Sequence, residues 1–522
     1  MITLLDYGAG NVRSVINAIE ALGETVRVVE KPADILAADK LVFPGVGSFG
    51  RMMETLHQRD LAAPLKEYLA QDRPFLGICL GLQALFQTSD EAPGVPGLGV
   101  LPGRIVRFRT NLAVPHMGWN GITAKSSSPI FNGLDGDEKF YFVHSYHAVC
   151  NNADHILATT DYGYVFVSAV RRGNLLATQF HPEKSGPTGL RILENFIRNA
   201  PAALPSNCPS PTCLARRIIA CLDVRANDRG DLVVTKGDQY DVREKGQVRN
   251  LGKPVELAAR YYEEGADEIT FLNITGFRDF PLKDMPMLEV LRRTSEKVFV
   301  PLTIGGGIRN YTDSSGRSWS ALEVADAYFR SGADKISIGS EAVLVAESHL
   351  AGTHRPGTSA IEQIARVYGN QAVVISIDPR RVYVDGPEAC SHRVIETSLP
   401  DSAGRRHCWY QCTIKGGREG RPIDAVTLAK VCQELGAGEI LLNCIDRDGT
   451  NQGFDLELVN AVKEAVSIPV IASSGAGCAE HFYQVFSLTA AEAALAAGIF
   501  HRGEVPIGRV KQYLAGKVEI RI

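Results

Sequence analysis

The chain has 522 residues, of which 45% are hydrophobic and 22% charged, with a formal net charge of −4. That length and balance fit roughly two to four globular domains with ample core, and the slight acidity argues against a nucleic-acid surface as the main business. No apolar stretch is long and clean enough to span a bilayer. Eleven cysteines, scattered without a repeating frame behind an N-terminus with no targeting segment, point to reduced thiols in the cytoplasm. The pairs Cys208–Cys213 and Cys408–Cys412 lack a second pair at ligand spacing, so no metal and no cofactor is expected.

"MITLLDYGAGNV" opens the chain as a strand and a glycine turn. "LVFPGVGSFG" (41–50) is a second strand and turn, with backbone N–H groups at Val46 and Gly47. Gly45, Gly47 and Gly50 also satisfy G-x-G-x-x-G, but the turn follows an internal strand, so an oxyanion-binding role is the better reading. "FLGICLGLQALF" (75–86) sets Cys79 between Gly77 and Gly81, after a buried strand and before helical spacing at Leu82, Leu85 and Phe86. A cysteine in an apolar run is ordinarily an inert core residue, whereas this pattern is that of a nucleophile elbow. An elbow needs a base, and "LLATQFHPEKS" (175–185) supplies one: a strand ending at Phe180, then His181, Pro182 and Glu183. Proline fixes the backbone so that the histidine and the carboxylate can project from one strand end. "TGLRILENFIRN" then closes the first domain as a helix.

The stretch "APAALPSNCPSPTC" (200–213) is too rich in proline for a helix or central strand and reads as a linker. The expected domains are therefore residues 1–200, a linker over 201–213, and a second domain over 214–522. The second domain repeats itself. "IIACLDV" resembles "VVISIDP", "GADEITFLNIT" resembles "GAGEILLNCID", "LTIGGG" resembles "IASSGAG", and "KISIGS" matches "AALAAG" loosely. Two halves of four strand–helix units close as a (β/α)8 barrel, so the fold class is an α/β domain followed by a TIM barrel. Polar inserts near 310–320 and 385–420 account for the uneven repeat spacing.

Asp223 and Asp378 end equivalent strands and are expected to face each other across the barrel mouth as an acid–base pair; helix capping is the plainer alternative. Glycine turns recur once per half, at Gly306 and Gly307, Gly339 and Ser340, Ser474 and Gly475, and Ala497 and Gly498. Such turns bind phosphate, and two opposed sites imply a ligand with a phosphate at each end. Lys236 and the Asp448–Gly449–Thr450 turn add polar groups to the rim. At the opposite end, Arg217, Glu268, Lys335 and Glu439 each precede the apolar core of a strand, predicting a ring of two positive and two negative charges. The ring is either a stabilising salt-bridge cluster or a gate.

"PGVGSFG", "GICLGLQ" and "FHPEKS" together resemble a class I glutamine amidotransferase over the whole first domain. The resemblance implies glutamine as substrate, Cys79 as nucleophile, His181 as base and Glu183 orienting it. It also implies that Val46, Gly47 and Leu80 hold the oxyanion, and that Gly45, Gln83 and Glu91 bind glutamine. The paired aspartates and phosphate turns resemble the cyclase of histidine biosynthesis, so the whole chain resembles the fused, bifunctional imidazole glycerol phosphate synthases. That implies ammonia delivered to a bisphosphate substrate, with Arg217, Glu268, Lys335 and Glu439 as gate. It implies no nucleic-acid or membrane partner, and a monomer whose two domains serve each other. Asn273 and Ser474 depart from the family pattern. A cysteine hydrolase fused to an independent phosphosugar isomerase, or a binding protein with a dead amidase, are the alternatives.

Overall fold

The computed structural model describes residues 1–8, 10–205, 212–227, 231–235, 243–244, 247–248, 250–274, 285–313 and 315–522. Lys236 and Cys208 lie outside the described residues.

In the first half of the chain, five parallel strands form the centre of the sheet in the order Val26–Val28, Ile2–Leu4, Leu41–Gly45, Phe75–Cys79 and Leu175–Thr178. Antiparallel strands extend it on the Leu175–Thr178 side, beginning with Val165–Arg172. All five residues of Phe75–Cys79 are buried, as a central parallel strand covered on both faces requires. Its register pairs Gly45 with Cys79 on one side and Thr178 with Ile78 on the other. Three neighbouring strands thus end together, and ligands of open α/β sheets bind outside such carboxyl ends.

The turn after Cys79 differs from the helix that the spacing predicts. Only Leu80–Gln83 is helical. The carbonyls that would continue it are taken by the returning chain: Leu98 N–H donates to Ala84 O at 2.8 Å and Leu101 N–H to Leu85 O at 2.9 Å. Leu82, Leu85 and Phe86 are fully buried all the same, so their apolar spacing records core packing. The strand before His181 also ends early, at Thr178.

The second half closes on itself. Eight parallel strands run Arg217–Ala226, Glu268–Asn273, Leu302–Gly305, Lys335–Ile338, Val373–Ile377, Glu439–Asn443, Val470–Ser473 and Ala493–Ala496, and the last pairs with the first. The repeated segments fall on strands one and five, two and six, three and seven, and four and eight, so the halves are related across the barrel. Ile219, Cys221, Val374, Leu441, Ile471 and Leu495 pack together as the inner core. With side chains alternating along each strand, Arg217 and Asp223 share the inward face of strand one, below and above that layer. Helices pack outside. The insert after strand five is a four-stranded antiparallel sheet of Pro379–Val384, Val394–Glu396, His407–Ile414 and Glu419–Asp424. No helix of the described residues is long and apolar enough to cross a membrane.

The first domain sits on the end of the barrel where the strands begin. Asn11 Nδ2 donates to Gly332 O at 2.9 Å and to Asp334 Oδ1 at 2.7 Å, and Ser48 Oγ donates to Arg366 O at 3.1 Å. Gly186 N–H donates to Phe299 O at 2.9 Å, and the buried Trp119 indole to Asp267 O at 3.2 Å. Barrel side chains add to the seat: Asn17 Nδ2 donates to Ser295 Oγ at 2.9 Å, Ser145 Oγ to Asn370 Oδ1 at 3.3 Å, and Arg330 Nη2 to Gly8 O at 2.8 Å.

Candidate active sites at the two domains

Cys79 stands at φ +52°, a left-handed conformation that costs a non-glycine residue of order 1–3 kcal/mol and is held only where the surroundings enforce it. The flanking glycines allow this. A Cβ on Gly81 would lie 2.1 Å from Phe43 O, and one on Gly77 2.8 Å from Gly81 O. The elbow therefore presses against its neighbouring strand and lifts the thiol to the sheet's edge.

His181 Nδ1 lies 2.8 Å from Glu183 Oε1, with both side chains buried, and Pro182 opens the single 3-10 turn that sets this geometry. Burial works against a charged His181, but the Glu183 carboxylate and the Cys79 sulfur outweigh it and hold the ring's pKa well above its ordinary value. His181 Nε2 has no hydrogen-bond partner among the described residues. One cavity is lined by Cys79, His181, Gly45, Val46, Gly47 and Leu80, and by Gln83 and Glu91. Every residue expected at the first site is thus brought together. Glu91 accepts from Phe49 N–H at 3.0 Å, yet burial pushes its carboxyl up to about 7. Tyr7, which the sequence reading passed over, donates its hydroxyl to Val46 O at 2.5 Å and fixes that peptide. Gln179 was also missed: its Nε2 donates to Cys79 Sγ at 3.4 Å. It stands two residues before His181, a signal no spacing rule singles out.

The same cavity continues to the barrel, where Asp334, Lys335 and Gln371 line it. Lys335 belongs to a closed ring. Arg217 Nη1 and Nη2 sit 2.7 Å from Glu268 Oε1 and Glu439 Oε1, and Lys335 Nζ sits 2.7 Å from the Oε2 atoms of the same two glutamates. All four side chains are at most 1% exposed. Beside the ring, Lys184 Nζ lies 2.7 Å from Asp334 Oδ2 across the domain boundary. Neither residue was singled out, though each adjoins one that was.

At the other end of the barrel, Asp378 directly follows strand five. Its Oδ1 accepts from Asn443 Nδ2 at 2.8 Å and Ser376 Oγ at 3.4 Å, while burial pushes its carboxyl above the ordinary aspartate range despite those bonds. Asp223 does not end its strand as expected. Strand one runs on to Ala226 because its tail pairs with Leu232–Val234. Asp223 still sits on strand one, opposite strand five in the eight-strand order. Gly306 and Gly307 turn at φ +92° and +80° after strand three, and Ser474 and Gly475 at +72° and +97° after strand seven. A Cβ at Gly306 would lie 2.2 Å from Asn273 O, so glycine is required there by the close approach of the Asn273 backbone. Gly339 caps the helix Ser340–Leu350, and Ala497 caps Gly498–His501. Asp448, Gly449 and Thr450 follow strand six on the same rim, with Thr450 Oγ1 donating to Arg447 O at 2.9 Å. Among the described residues, no group of three or more His, Cys, Asp or Glu is placed to hold a metal ion.

Residues 3–200 match the family model of class-I glutamine amidotransferases, and residues 217–506 that of histidine biosynthesis proteins. The imidazole glycerol phosphate synthase hisHF of Arabidopsis thaliana, described as chloroplastic, is 58% identical over 100% of this chain and 90% of its own. That of Emericella nidulans is 55% identical over 98% and 97%, and that of Schizosaccharomyces pombe 53% over 99% and 98%. Similarity of this extent across both halves leaves no room for an unrelated isomerase behind the amidotransferase, and the chain belongs to the imidazole glycerol phosphate synthase family of fused glutamine amidotransferase–cyclases.

Proposed function

We propose that the chain hydrolyses glutamine to glutamate and ammonia at Cys79 and spends the ammonia in the barrel. There it converts phosphoribulosyl-formimino aminoimidazole carboxamide ribonucleotide to imidazole glycerol phosphate and aminoimidazole carboxamide ribotide. The observation that carries this reading is one cavity lined both by Cys79 and His181 of the first domain and by Asp334 and Lys335 of the barrel.

In this reading His181 takes the Cys79 proton, and Glu183 stabilises the imidazolium that forms. The sulfur attacks the carboxamide carbon, and the N–H groups of Val46, Gly47 and Leu80 receive the oxyanion. His181 returns its proton to the departing amine. Water, deprotonated by the same ring, then releases glutamate from the thioester. Glu91 and Gln83 hold the glutamine. Ammonia leaves toward Lys335, passes the ring of Arg217, Glu268, Lys335 and Glu439, and meets the bisphosphate at the far mouth. The turns at Gly306–Gly307, Gly339–Ser340, Ser474–Gly475 and Ala497–Gly498 take the phosphates, with Asp448–Thr450 on the rim. Asp223 and Asp378 exchange the protons of ring closure and bond cleavage.

The ten free cysteines among the described residues suit a reducing compartment, the cytoplasm in this reading, with one chain acting as a monomer. Cys79→Ala tests the division of labour: glutamine-dependent product is lost, while ammonium-dependent product stays close to normal. If ammonium salts fail to restore product, the two-site assignment is wrong.

A further inference from the structure

In the wall of the same cavity stands His144, with His116 against it, and the reaction above uses neither. His116 Nδ1 and His144 Nε2 are 3.1 Å apart, and neither side chain is more than 2% exposed. Phe142 stacks on His116 at a centroid distance of 4.9 Å, Tyr162 lies at 4.0 Å, and Phe108 covers His144 at 5.2 Å. The hydrogen-bond network fixes both tautomers. Asn120 Oδ1 accepts from Gly121 N–H, so its Nδ2 is a donor, and it meets His116 Nε2 at 3.3 Å. His116 Nε2 therefore accepts, His116 Nδ1–H donates to His144 Nε2, and His144 Nδ1–H donates to Tyr146 O at 2.7 Å.

The chain does not stop at Tyr146. The same carbonyl accepts from Gln83 Nε2 at 3.1 Å, and Gln83 Nε2 also donates to Gln179 Oε1 at 3.2 Å. Gln179 Nε2 then reaches Cys79 Sγ. An unbroken series of bonds joins Asn120 to the sulfur, with the Tyr146 carbonyl accepting from both sides and Gln83 Nε2 donating to both sides. Both hydrogens of Gln83 Nε2 are committed, which fixes how its amide lies in the cavity. Both amides depend on the Tyr146 carbonyl, and that carbonyl depends on His144.

We propose that His116 and His144 are positioning residues for glutamine hydrolysis: they lock the Tyr146 carbonyl, and so the amides of Gln83 and Gln179, around the Cys79 sulfur. The inference rests on the glutaminase reading of that site. The rings work as neutral, rigid dipoles. Burial pushes His116 well below its ordinary pKa and His144 down to about 3, and the other titratable rings near His144 are His147 and His181. An aromatic box that excludes water serves this role, because a charged imidazole would reverse a donor and break the series.

The test uses the full chain with His144→Leu and His144→Asn. Leucine removes the donor to Tyr146 O. Asparagine can restore it, because its Nδ2 stands close to where the imidazole Nδ1 did. Glutamine hydrolysis in His144→Leu should fall about ten-fold in kcat, the size of one lost buried hydrogen bond. Alkylation of Cys79 by iodoacetamide should slow with it, and ammonium-dependent cyclisation should persist. His144→Asn should recover most of both losses, with the acid limb of the kcat pH profile unmoved. Equal activity in the two variants, or a shifted acid limb, would overturn the proposal. If His144→Leu fails to fold, as lost ammonium-dependent cyclisation would show, Asn120→Ala removes the donor to His116 together with the bonds of Asn120 to Asp161 O and from Gly121 N–H, and a wild-type kcat there overturns it too. A wild-type chain that hydrolyses no glutamine would instead defeat the functional reading.

Discussion

Lys335→Ala separates a gate from a brace. In the ring each glutamate gives one oxygen to Arg217 and the other to Lys335, so the four charges sum to zero. Burial pushes Glu268 up, but Arg217 and Lys335 outweigh it and hold its carboxyl below the ordinary range. That stabilisation is present above the ordinary glutamate pKa and lost as pH falls through the lower folded value, so assays near pH 8 keep the ring charged. Removing Lys335 leaves two buried oxygens unpaired and a net negative ring. Breaking a buried pair costs about 3–5 kcal/mol. Because Lys335 also lines the cavity, water can enter from that side, and the low end of about 3 kcal/mol applies. With about 2.1 cal/mol/K of unfolding entropy per residue over the roughly 300-residue barrel, Tm should fall by about 5 °C. The coupling should suffer more: imidazole glycerol phosphate formed per glutamate released should drop several-fold, both products being measured in one reaction. Lys511→Met is the matched control. Lys511 Nζ sits 2.7 Å from Asp267 Oδ1, buried near the same end of the barrel but outside the ring, with Arg521 sharing the carboxylate. It should lower Tm with the product ratio intact. If Lys335→Ala also loses Tm while keeping one product per glutamine, the ring is structural only.

Asp223→Asn and Asp378→Asn should each lose cyclisation from either nitrogen source while the bisphosphate still binds, since an amide keeps the shape but cannot exchange the proton; near-normal turnover with ammonium would leave helix capping as the explanation. Glu91, pushed by burial to about 7, must be ionised to hold an ammonium group, so KM for glutamine should rise as pH falls below about 7. Glu91→Gln should raise KM and flatten that dependence, and an unchanged KM slope would remove Glu91 from the glutamine site.

Much of both candidate sites was legible because most of the candidate residues stand at or just past strand ends, and turn residues such as glycine and proline mark those ends. Cys79, His181 and the turns after strands three and seven all follow an apolar run that stops at a turn residue. The charge ring was legible for a related reason: repetition showed which charged residues begin equivalent strands. What was not legible depends on pairing between distant segments. The elbow helix stops after one turn because residues 97–101 return to take the carbonyls of Ala84–Gln87 just beyond it, and nothing local in "LGLQALF" announces that. Strand one overruns Asp223 because Leu232–Val234 pairs with its tail. Gln179, Tyr7 and His144 carry no motif of their own, and their parts are set by which carbonyl or sulfur the fold places beside them.

The arrangement also bears on what the lower face of this barrel does. In TIM barrels the strand-start end ordinarily serves stability. Here its loops offer backbone carbonyls to the first domain at Gly332, Arg366 and Phe299, and Ser48, one residue beyond the Val46–Gly47 peptide, takes one of them. The interdomain ion pair is placed in the same spirit. Lys184 directly follows Glu183, which orients His181, and Asp334 directly precedes Lys335, which closes the ring. Residues adjacent in sequence share peptide planes, so strand four cannot move at Lys335 without moving Asp334, nor the turn at Glu183 without moving Lys184. The ion pair between Lys184 and Asp334 therefore ties the turn that carries Glu183 to the strand that carries Lys335. Neither domain carries both of its ends.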